Sequence, residues 1–538
     1  MNTTHAKFFP PAPPTPKGAA RPLLLYKNSA AELWPPAPPS PKGAAHPRLF
    51  QRPLSLTFLL LLVHLLSACL TNLRAQEQLG LRTGSFSGVN ALSLNPAAAT
   101  GMPLAWDVNL IEAGIFGQTN YAFVNNGGLL PFWRARKNLI FDVPETVSST
   151  EPPIPGAFIV DFRTNRQHKH LAIISNITGP SFFVSLPDGN KIGLISRARL
   201  MVMGYKVPSV LDYYTYEAKP NFENFEVAPF HTGLMSWSEL GLHFSHEWET
   251  WYGTFGFGIT GKYLQGYEAA FFDNNKPTTI AKLPGDSLTS ISADLSYGLT
   301  LGAFEENGYR FGPTGHGLGL DLGMQITGEG SYEPLSWHVG IALLDLGRIH
   351  FDQLAQQHRV QIDNKTIILD TEPLTHFQRT EFTDTLIGGF SEQVLGDPRA
   401  SLADNAFQMW LPTALSLQGE VALTDDFFLH GLLIQRLAYR PSVSRGNFLA
   451  LTARYEKKYW GLWLPLSLYN YTELQLGLAL KAGPLTIGTE RLASFFSNKQ
   501  WDGLDFYFAL KVPPFSLQKT LKPQRRHRRG KSPRCYEF

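Results

Sequence analysis

A short histidine-rich run is the first candidate for chemistry, His243-Phe244-Ser245-His246-Glu247. Two imidazoles and a carboxylate are ligands that zinc accepts. The surrounding segment has the pattern of a β-strand, and on a strand His243 and His246 point to opposite faces. Only Glu247 would share the side of His243, so we expect no metal site here.

Other signatures of catalysis are missing from the sequence. Neither Gly-x-Ser-x-Gly nor His-Glu-x-x-His occurs, and the glycines of 253–261 are not followed by the helix start that a phosphate-binding loop requires. The two cysteines, Cys69 and Cys535, are too few for a disulfide scaffold or a cysteine-rich metal centre. We therefore expect a protein that is not an enzyme and needs no cofactor or metal; catalytic residues scattered over loops are the alternative.

Charged residues at alternate positions form a second candidate site. They lie on the face opposite to runs of apolar residues, so they would all project into one interior if the segments form a closed sheet. Because the signs are mixed, the lining would consist of structural ion pairs, with a selectivity filter as the alternative. The candidates are Asp294, Asp321, Glu473, Lys481 and Asp505, with Glu490, Lys262 and Lys511 as further members.

A period of two residues dominates the chain between residues 106 and 512. In 315–326, for example, Leu320 and Leu322 flank Asp321, and the alternation continues on both sides. Most such segments reach the ~9–11 residues of a transmembrane strand, whereas strands of soluble sandwiches have about 5–6. The predicted strands are 106–124, 169–187, 191–204, 237–248, 251–270, 288–303, 309–326, 335–346, 408–423, 426–438, 447–457, 459–468, 472–481, 484–492 and 502–512.

The lengths of the connections favour a membrane barrel over a soluble sandwich. Tight links at 187–190 and 482–483 contrast with long stretches at 125–168, 205–236 and 347–407. Short turns on one rim and long loops on the other are typical of outer-membrane barrels. Tryptophans and tyrosines also fall largely near the ends of the predicted strands, as the aromatic girdles of such barrels do.

The sequence therefore predicts an all-β fold, a transmembrane antiparallel β-barrel of about 14 strands (14–16) over residues 106–515. A closed barrel satisfies every backbone polar group in lipid. We expect a multi-pass protein of the cell outer membrane, of the Gram-negative type, with outer-membrane lipid as its surroundings. A secreted soluble β-protein is the alternative.

An export signal precedes the body of the chain. Residues 54–66 form an apolar run behind a basic approach, and at ~1.5 Å per residue the run is too short to cross a bilayer of about 30 Å. These features are typical of a signal peptide, which we expect over 54–75 with cleavage after Ala75. The alternative is a lipobox that ends at Cys69, which would then be acylated.

The two ends of the 538-residue chain differ in charge from its body. Of the total net charge of +3, residues 1–52 carry +6, residues 516–538 carry +7 and Arg74 adds one, which leaves residues 76–515 at −11. We therefore expect no nucleic-acid partner for the body. Residues 1–53 contain a repeated proline-rich run and are predicted to be a leader outside the native protein, and residues 516–538 a disordered basic tail.

Residues 76–105 lack the strand pattern and predict a short helical element, which we call the hatch. Asn95 can cap a helix, Pro96 suits its first position and Gly101 can end it. We expect the hatch to plug the lumen, since a barrel of about fourteen strands is wide enough to need filling; a periplasmic lead-in is the alternative. Its candidate functional residues are Asn90, Asn95, Pro96 and Ala97.

Residues 87–97, Ser-Gly-Val-Asn-Ala-Leu-Ser-Leu-Asn-Pro-Ala, and 106–110, Trp-Asp-Val-Asn-Leu, resemble the start of an uncharacterised outer-membrane barrel family. That family is related to FadL-like fatty-acid transporters, whose hatch also contains Asn-Pro-Ala, and to PorV-like barrels of the type IX secretion system. The similarity in plan covers about residues 80–515 and implies a fourteen-stranded barrel with an N-terminal hatch.

The resemblance also implies a function. We expect passive uptake of a hydrophobic or amphipathic small molecule, with Asn95-Pro96 fixing the hatch. The alternative is a non-conducting barrel that docks a secreted or surface protein, as PorV-like members do, through the long loops 125–168 and 347–407. No ligand-binding residue transfers from the family to this chain.

Overall fold

The computed structural model describes residues 77–512, apart from 126–127, 129–130, 133, 135–140, 143–157, 166, 252, 285–286, 303–310, 330–335, 371–385, 438, 472 and 497–499. The predicted leader 1–53, the signal peptide 54–75 with Cys69 and Ala75, and the tail 516–538 lie outside the described residues. They stay predictions.

Most of the described chain is β-strand, as the two-residue period predicts. The strands of the first half are β1 (Trp106–Thr119), β2 (Ala122–Asn125), β3 (Phe141–Asp142), β4 (Phe158–Phe162), β5 (Lys169–Thr178), β6 (Ser181–Ser185), β7 (Asn190–Val207), β8 (Asn224–Val227), β9 (Phe230–Thr250), β10 (Gly253–Asn274), β11 (Thr278–Leu283), β12 (Ser287–Thr300) and β13 (Gly315–Glu329). Those of the second half are β14 (Ser336–Phe351), β15 (Ala355–Ile362), β16 (Ile367–Asp370), β17 (Leu402–Asp404), β18 (Phe407–Trp410), β19 (Ala414–Ala422), β20 (Phe427–Arg436), β21 (Phe448–Glu456), β22 (Trp460–Tyr469), β23 (Glu473–Leu476), β24 (Leu478–Ala482), β25 (Leu485–Thr489), β26 (Gln500–Trp501) and β27 (Gly503–Val512).

The helices are short. The α-helices are α1 (Leu79–Arg82), α2 (Tyr213–Glu217), α3 (Gly389–Leu395) and α4 (Ala493–Phe496), and the 3-10 helices are Gly88–Ser93, Pro96–Ala99, Pro187–Gly189 and Ser209–Leu211. Among the described residues, none of the helices has both the length and the apolar character needed to cross a membrane.

Fourteen antiparallel wall strands close into a ring. The pairs β5 and β6, β18 and β19, and β23 and β24 each make one wall strand that is interrupted by irregular residues. The ring closes between β1 and β27, where Val108 lies opposite Val512 and Gln118 opposite Gly503. The predicted barrel of about 14 strands is confirmed.

One predicted strand, 288–303, lies outside the ring. It forms β12, which pairs with the end of β10 and with β15 above the wall. Together with β8, β11, β15, β16 and β17 it forms what we call the sheet extension. Helix α3 covers its apolar face, where Val394 packs against Val360 and Ile362. A half-buried sheet outside the wall has the same alternation of apolar and polar residues as the wall. The sequence pattern therefore does not distinguish a strand of the sheet extension from a wall strand.

The two rims of the ring differ in the length of their connections. Short links join β6 to β7, β9 to β10, β21 to β22 and β24 to β25, and β1 begins and β27 ends at the same rim. Long connections, including 208–229 and 352–406, lie at the other rim. In outer-membrane barrels the short turns face the periplasm and the long loops face the outside, and we name the two rims accordingly.

The outer surface of the ring is apolar. Leu242 is 70% exposed, Leu318 72% and Val339 56%, and each belongs to a wall strand whose alternate residues are buried. Such a continuous apolar belt is unfavourable in water but suits the hydrocarbon region of a bilayer. The protein is a multi-pass barrel of the outer membrane, as the sequence predicts.

A cation placed in this belt tests the membrane-facing surface. Ile341 is 46% exposed on β14, between Met324 and Leu417 on the neighbouring strands. We expect Ile341→Lys to lower the free energy of unfolding by about 2–4 kcal/mol, the usual effect of a cation on the lipid-facing surface near the membrane midplane. Urea titration of the barrel in lipid vesicles measures the change, with Ile341→Met as control. Equal stability of the two variants would place Ile341 outside the hydrocarbon region.

Candidate functional site

Residues 77–105, most of the predicted hatch, lie inside the ring. Helix α1 packs against β22, β24 and β25, whereas the 3-10 helix Pro96–Ala99 packs against β9, β10, β13 and β14. These two groups of strands occupy separate arcs of the wall. A segment that contacts both arcs must cross the lumen.

Asn95 joins the hatch to the wall. Its Oδ1 accepts a hydrogen bond from the Ala97 amide at 2.9 Å and so caps the 3-10 helix. Its Nδ2 donates to the carbonyl of Met324 on β13 at 3.2 Å. The predicted helical element is therefore a 3-10 helix with Asn95 as its cap and Pro96 at its first position.

The wall opposite Asn95 consists of glycines, which we call the glycine patch: Gly256, Gly258, Gly323 and Gly340. A Cβ at Gly258 would lie 2.5 Å from the backbone nitrogen of Ala97, and one at Gly340 would lie 2.6 Å from Asn95 Nδ2. Real Cβ contacts do not approach so closely. The hatch can therefore rest on this wall only because these positions carry no side chain.

The helix Gly88–Ser93 is held differently. The amide of Val89 donates to Asp107 Oδ2 at 2.8 Å, and Lys511 Nζ lies 2.9 Å from the same oxygen. Asn90 is 2% exposed in this helix, and its side-chain amide has no hydrogen-bond partner among the described residues. The role predicted for Asn90 in the hatch stays a prediction.

A layer of charged side chains, which we call the charge layer, crosses the middle of the lumen. All of its members are at most 8% exposed, and its cations and anions are equal in number. They are Arg82, Arg197, Arg199, Lys262 and Arg445 with Glu77, Glu112, Glu239, Asp321 and Asp345.

Asp345 has three ion-pair partners in the charge layer, as many as Glu239 and Lys262. Its carboxylate lies 2.6 Å from Lys262 Nζ, 2.9 Å from Arg199 and 2.6 Å from Arg445. An isolated buried charge would be strongly unfavourable, and close oppositely charged partners offset its desolvation. The contacts of Asp345 therefore connect β14 to β10, to β7 and to the segment that contains Arg445.

Arg445 belongs to 439–447, which we call the inner loop because it folds into the lumen from the extracellular rim. His231 Nε2 lies 2.6 Å from the carbonyl of Ser442, and Val443 is fully buried. Arg445 also lies 3.6 Å from Glu77 of the hatch. The inner loop and the hatch thus meet at the charge layer from opposite ends of the lumen.

The lumen above the charge layer is apolar. Its buried side chains pack in one cluster, the apolar layer, although the sequence predicts a polar interior. The wall strands here carry apolar residues on both faces, so the alternation that marks the inner face is lost. Members of the layer include Met201, Met203, Met235, Trp237, Phe271, Ile349, Phe351, Phe407, Met409, Ile434 and Phe448.

Two of the predicted lining residues contact other groups inside the ring. Asp321 belongs to the charge layer, 2.7 Å from Lys262 Nζ. Lys481 lies 3.8 Å from Glu456 and 4.9 Å from the centre of the Phe86 ring in the hatch.

The remaining predicted lining residues, Asp505, Asp294 and Glu473, each lie at a different place in the structure. Asp505 is fully buried and accepts a hydrogen bond from the Glu490 amide. Asp294 lies on β12 in the sheet extension, 3.5 Å from both Lys276 and Arg359. The side chain of Glu473 lies outside the described part of the structure.

Of the charge layer, the sequence pattern predicts only Lys262 and Asp321 as lumen-facing residues. Arg197 and Arg199 share one face of β7, a spacing that could have signalled an inward pair. The alternation of residues along β14 does not predict that Asp345 faces the lumen. Asp345 has a left-handed backbone, φ 54°, at an irregularity in the pairing of β13 with β14, so both Leu344 and Asp345 are buried.

Two glycines of β10 provide a variant and its matched control, which test the packing of the hatch against the glycine patch. We expect Gly258→Ala to displace the hatch, because the added methyl group meets the backbone of Pro96 and Ala97. Gly261→Ala is the control, since nothing lies within 4 Å of a Cβ there. Limited proteolysis of the folded barrel should cleave 77–105 faster only in Gly258→Ala. Equal cleavage would contradict the packing.

Asp345 yields a test of the charge layer. We expect Asp345→Asn to lower the free energy of unfolding by about 3–5 kcal/mol, because Lys262, Arg199 and Arg445 lose their shared partner. The exposed Asp363, changed to Asn, is the control. Urea titration in lipid vesicles compares the two, and an Asp345→Asn barrel as stable as the control would contradict the role of Asp345.

Comparison with solved structures finds matches at 10% identity or less. The Pseudomonas putida toluene transporter TodX has 9% identity and a TM-score of 0.27, covering 80% of this chain and 94% of that chain. The monoaromatic hydrocarbon channel CymD has 8% identity and a TM-score of 0.28, covering 79% and 93%. A Pseudomonas aeruginosa FadL homologue has 10% identity and a TM-score of 0.24, covering 82% and 99%.

No curated protein sequence matches the chain. The model of one family, described as a family of unknown function (DUF5723), matches residues 146–490. The expected membership of an uncharacterised family is thereby confirmed, although the match begins after residues 87–97 and 106–110, on which that prediction rests. Because the match spans more than half of the chain, the protein belongs to the family of unknown function DUF5723.

Proposed function

We propose that this outer-membrane barrel takes up a hydrophobic or amphipathic small molecule passively through its lumen. The observation that carries the proposal is the apolar layer, a buried apolar cluster inside the extracellular half of the wall. The interior of a membrane barrel is usually polar, because water fills it. An apolar interior suits a ligand that itself avoids water.

The side chains of the apolar layer suit a ligand of variable shape. Met201, Met203, Met235 and Met409 contribute thioethers, which are unbranched and adapt to irregular surfaces. Buried aromatic residues such as Trp237 add large apolar faces. Pockets for small molecules typically combine such apolar walls with a few polar groups, and the charge layer below supplies those groups.

Two inserted segments would act as gates in this proposal. Side-chain contacts such as Asn95 to Met324 and Arg445 to Asp345 join the hatch and the inner loop to the wall. The inner loop adds one backbone hydrogen bond, from the Trp410 amide to the Pro441 carbonyl at 3.0 Å. Because neither segment belongs to the ring of paired strands, each can move without opening the wall. Entry from outside would require displacement of the inner loop, and exit to the periplasm would require displacement of the hatch.

A disulfide between the hatch and the wall tests this path. A Cβ at Gly256 would lie 2.8 Å from the Cβ of Thr100, so the pair Thr100→Cys and Gly256→Cys needs a shift of about 1 Å to reach disulfide geometry. We expect the oxidised protein to lose protein-dependent uptake of labelled 1-decanol into cells, because the hatch cannot leave. Reduction with dithiothreitol should restore uptake.

The single variant Thr100→Cys is the control, and cells that lack the protein give the background rate. Uptake that is unchanged by the disulfide would contradict passage through the hatch. Planar-bilayer recordings add a second readout, since a barrel that lacks both residues 77–103 and residues 439–446 should conduct ions while the intact barrel is closed. Silence of both folded forms would also contradict a lumenal path.

The alternative is docking of a secreted or surface protein through loops 125–168 and 347–407. The sheet extension supports it, because parts of 347–407 form ordered strands with a packed core above the extracellular rim. Uptake that depends on the state of the hatch would favour transport over docking.

The expectation that the protein is not an enzyme stays a prediction.

A further inference from the structure

Three side chains on neighbouring wall strands converge inside the periplasmic half of the lumen. His338 on β14 lies opposite Glu420 on β19, and Glu420 lies opposite His430 on β20. Residues that are directly opposite one another on paired strands share a face. That face is the inner one, because Gly340 of the glycine patch lies two residues from His338. One ligand atom from each of the three residues lies within 4.8 Å of the others.

His430 is buried without a partner for one of its ring nitrogens. It is 3% exposed, and its Nδ1 has no hydrogen bond among the described residues. Opposite it on β21 lies Thr452, which is fully buried and whose hydroxyl has no described partner either. Buried polar atoms are nearly always hydrogen-bonded, and these two are available to a ligand that binds between the strands.

Arg454 holds the carboxylate of this group in place. Its two terminal nitrogens lie 2.7 and 2.9 Å from the two oxygens of Glu420. A carboxylate has about four lone-pair sites, so two remain for another ligand. Glu456, 3.2 Å from Arg454 Nε, offsets the charge of the guanidinium. Hydrogen bonds of this kind orient the carboxylates of metal sites.

We propose that His338, Glu420 and His430 bind a divalent first-row transition ion, for which zinc is the probe. Two imidazoles and one carboxylate are a known zinc ligand set, and calcium or magnesium would require oxygen ligands throughout. Binding would require side-chain rotations that bring the three ligand atoms to about 2.0–2.2 Å from the ion, the distances that zinc prefers.

Zinc titration of the purified full-length protein in detergent tests the site. We expect calorimetry to show one zinc ion per chain, and cobalt(II) to give the visible absorption bands of a tetrahedral site. His430→Gln and His338→Gln should each weaken zinc binding at least tenfold. Loss of a residue that only hydrogen-bonds to a metal ligand already weakens binding about 10–100-fold, so loss of a ligand should weaken it at least as much. Both variants should lose the cobalt bands.

His243→Gln is the matched control. His243 is also 3% exposed and faces the lumen, but its ring nitrogens lie 3.0 Å from Thr260 and 3.3 Å from Ser245. The control should bind zinc like the native protein.

Glu420→Gln is a weaker test, because it leaves Arg454 buried without its partner, so the histidine variants decide. The proposal is wrong if the double variant H338Q/H430Q binds zinc unchanged, or if His243→Gln weakens binding equally.

Discussion

The neutralisation of buried charge at Asp345 is the constraint on which the closed state of this barrel depends. A carboxylate in the middle of the lumen is acceptable only with cations around it, and these cations come from two wall strands and the inner loop. Lys262 and Arg199 come from the wall, whereas Arg445 comes from the inner loop. Arg445 in turn contacts Glu77 of the hatch. Removing the inner loop therefore takes one cation from Asp345, and removing the hatch takes Arg82 from Glu112 on the wall.

The lumen is divided into levels with different physical properties. Near the periplasm, the hatch rests on glycines, so van der Waals contact and a few side-chain hydrogen bonds hold it. In the middle, the charge layer excludes an apolar molecule while the two inserted segments are in place. Above it, the buried side chains are apolar. In the proposed uptake, the middle level would close the lumen and the upper level would bind the ligand.

The sequence predicts the wall and the hatch because both depend on local patterns. The alternation around Asp321 marks a strand of the ring, and Asn95-Pro96 marks a helix start. It does not predict features that arise from long-range pairing. β12 has the pattern of a wall strand but lies in the sheet extension, and Asp345 turns inward at an irregularity that shifts the alternation of β14. Arg445 lies in a loop, for which the sequence carries no pattern at all.

The contacts of the hatch also bear on the order of assembly. The amide of Leu79 donates to Glu490 Oε1, 411 residues further along the chain, and that of Gly80 to the Tyr507 hydroxyl. These partners exist only after the last wall strands have folded. Helix α1, although synthesised before the wall, can therefore reach its final position only after the wall is complete. A newly inserted barrel would lack these contacts at first, and the permeability barrier of the membrane at this site would be completed only once α1 is in place.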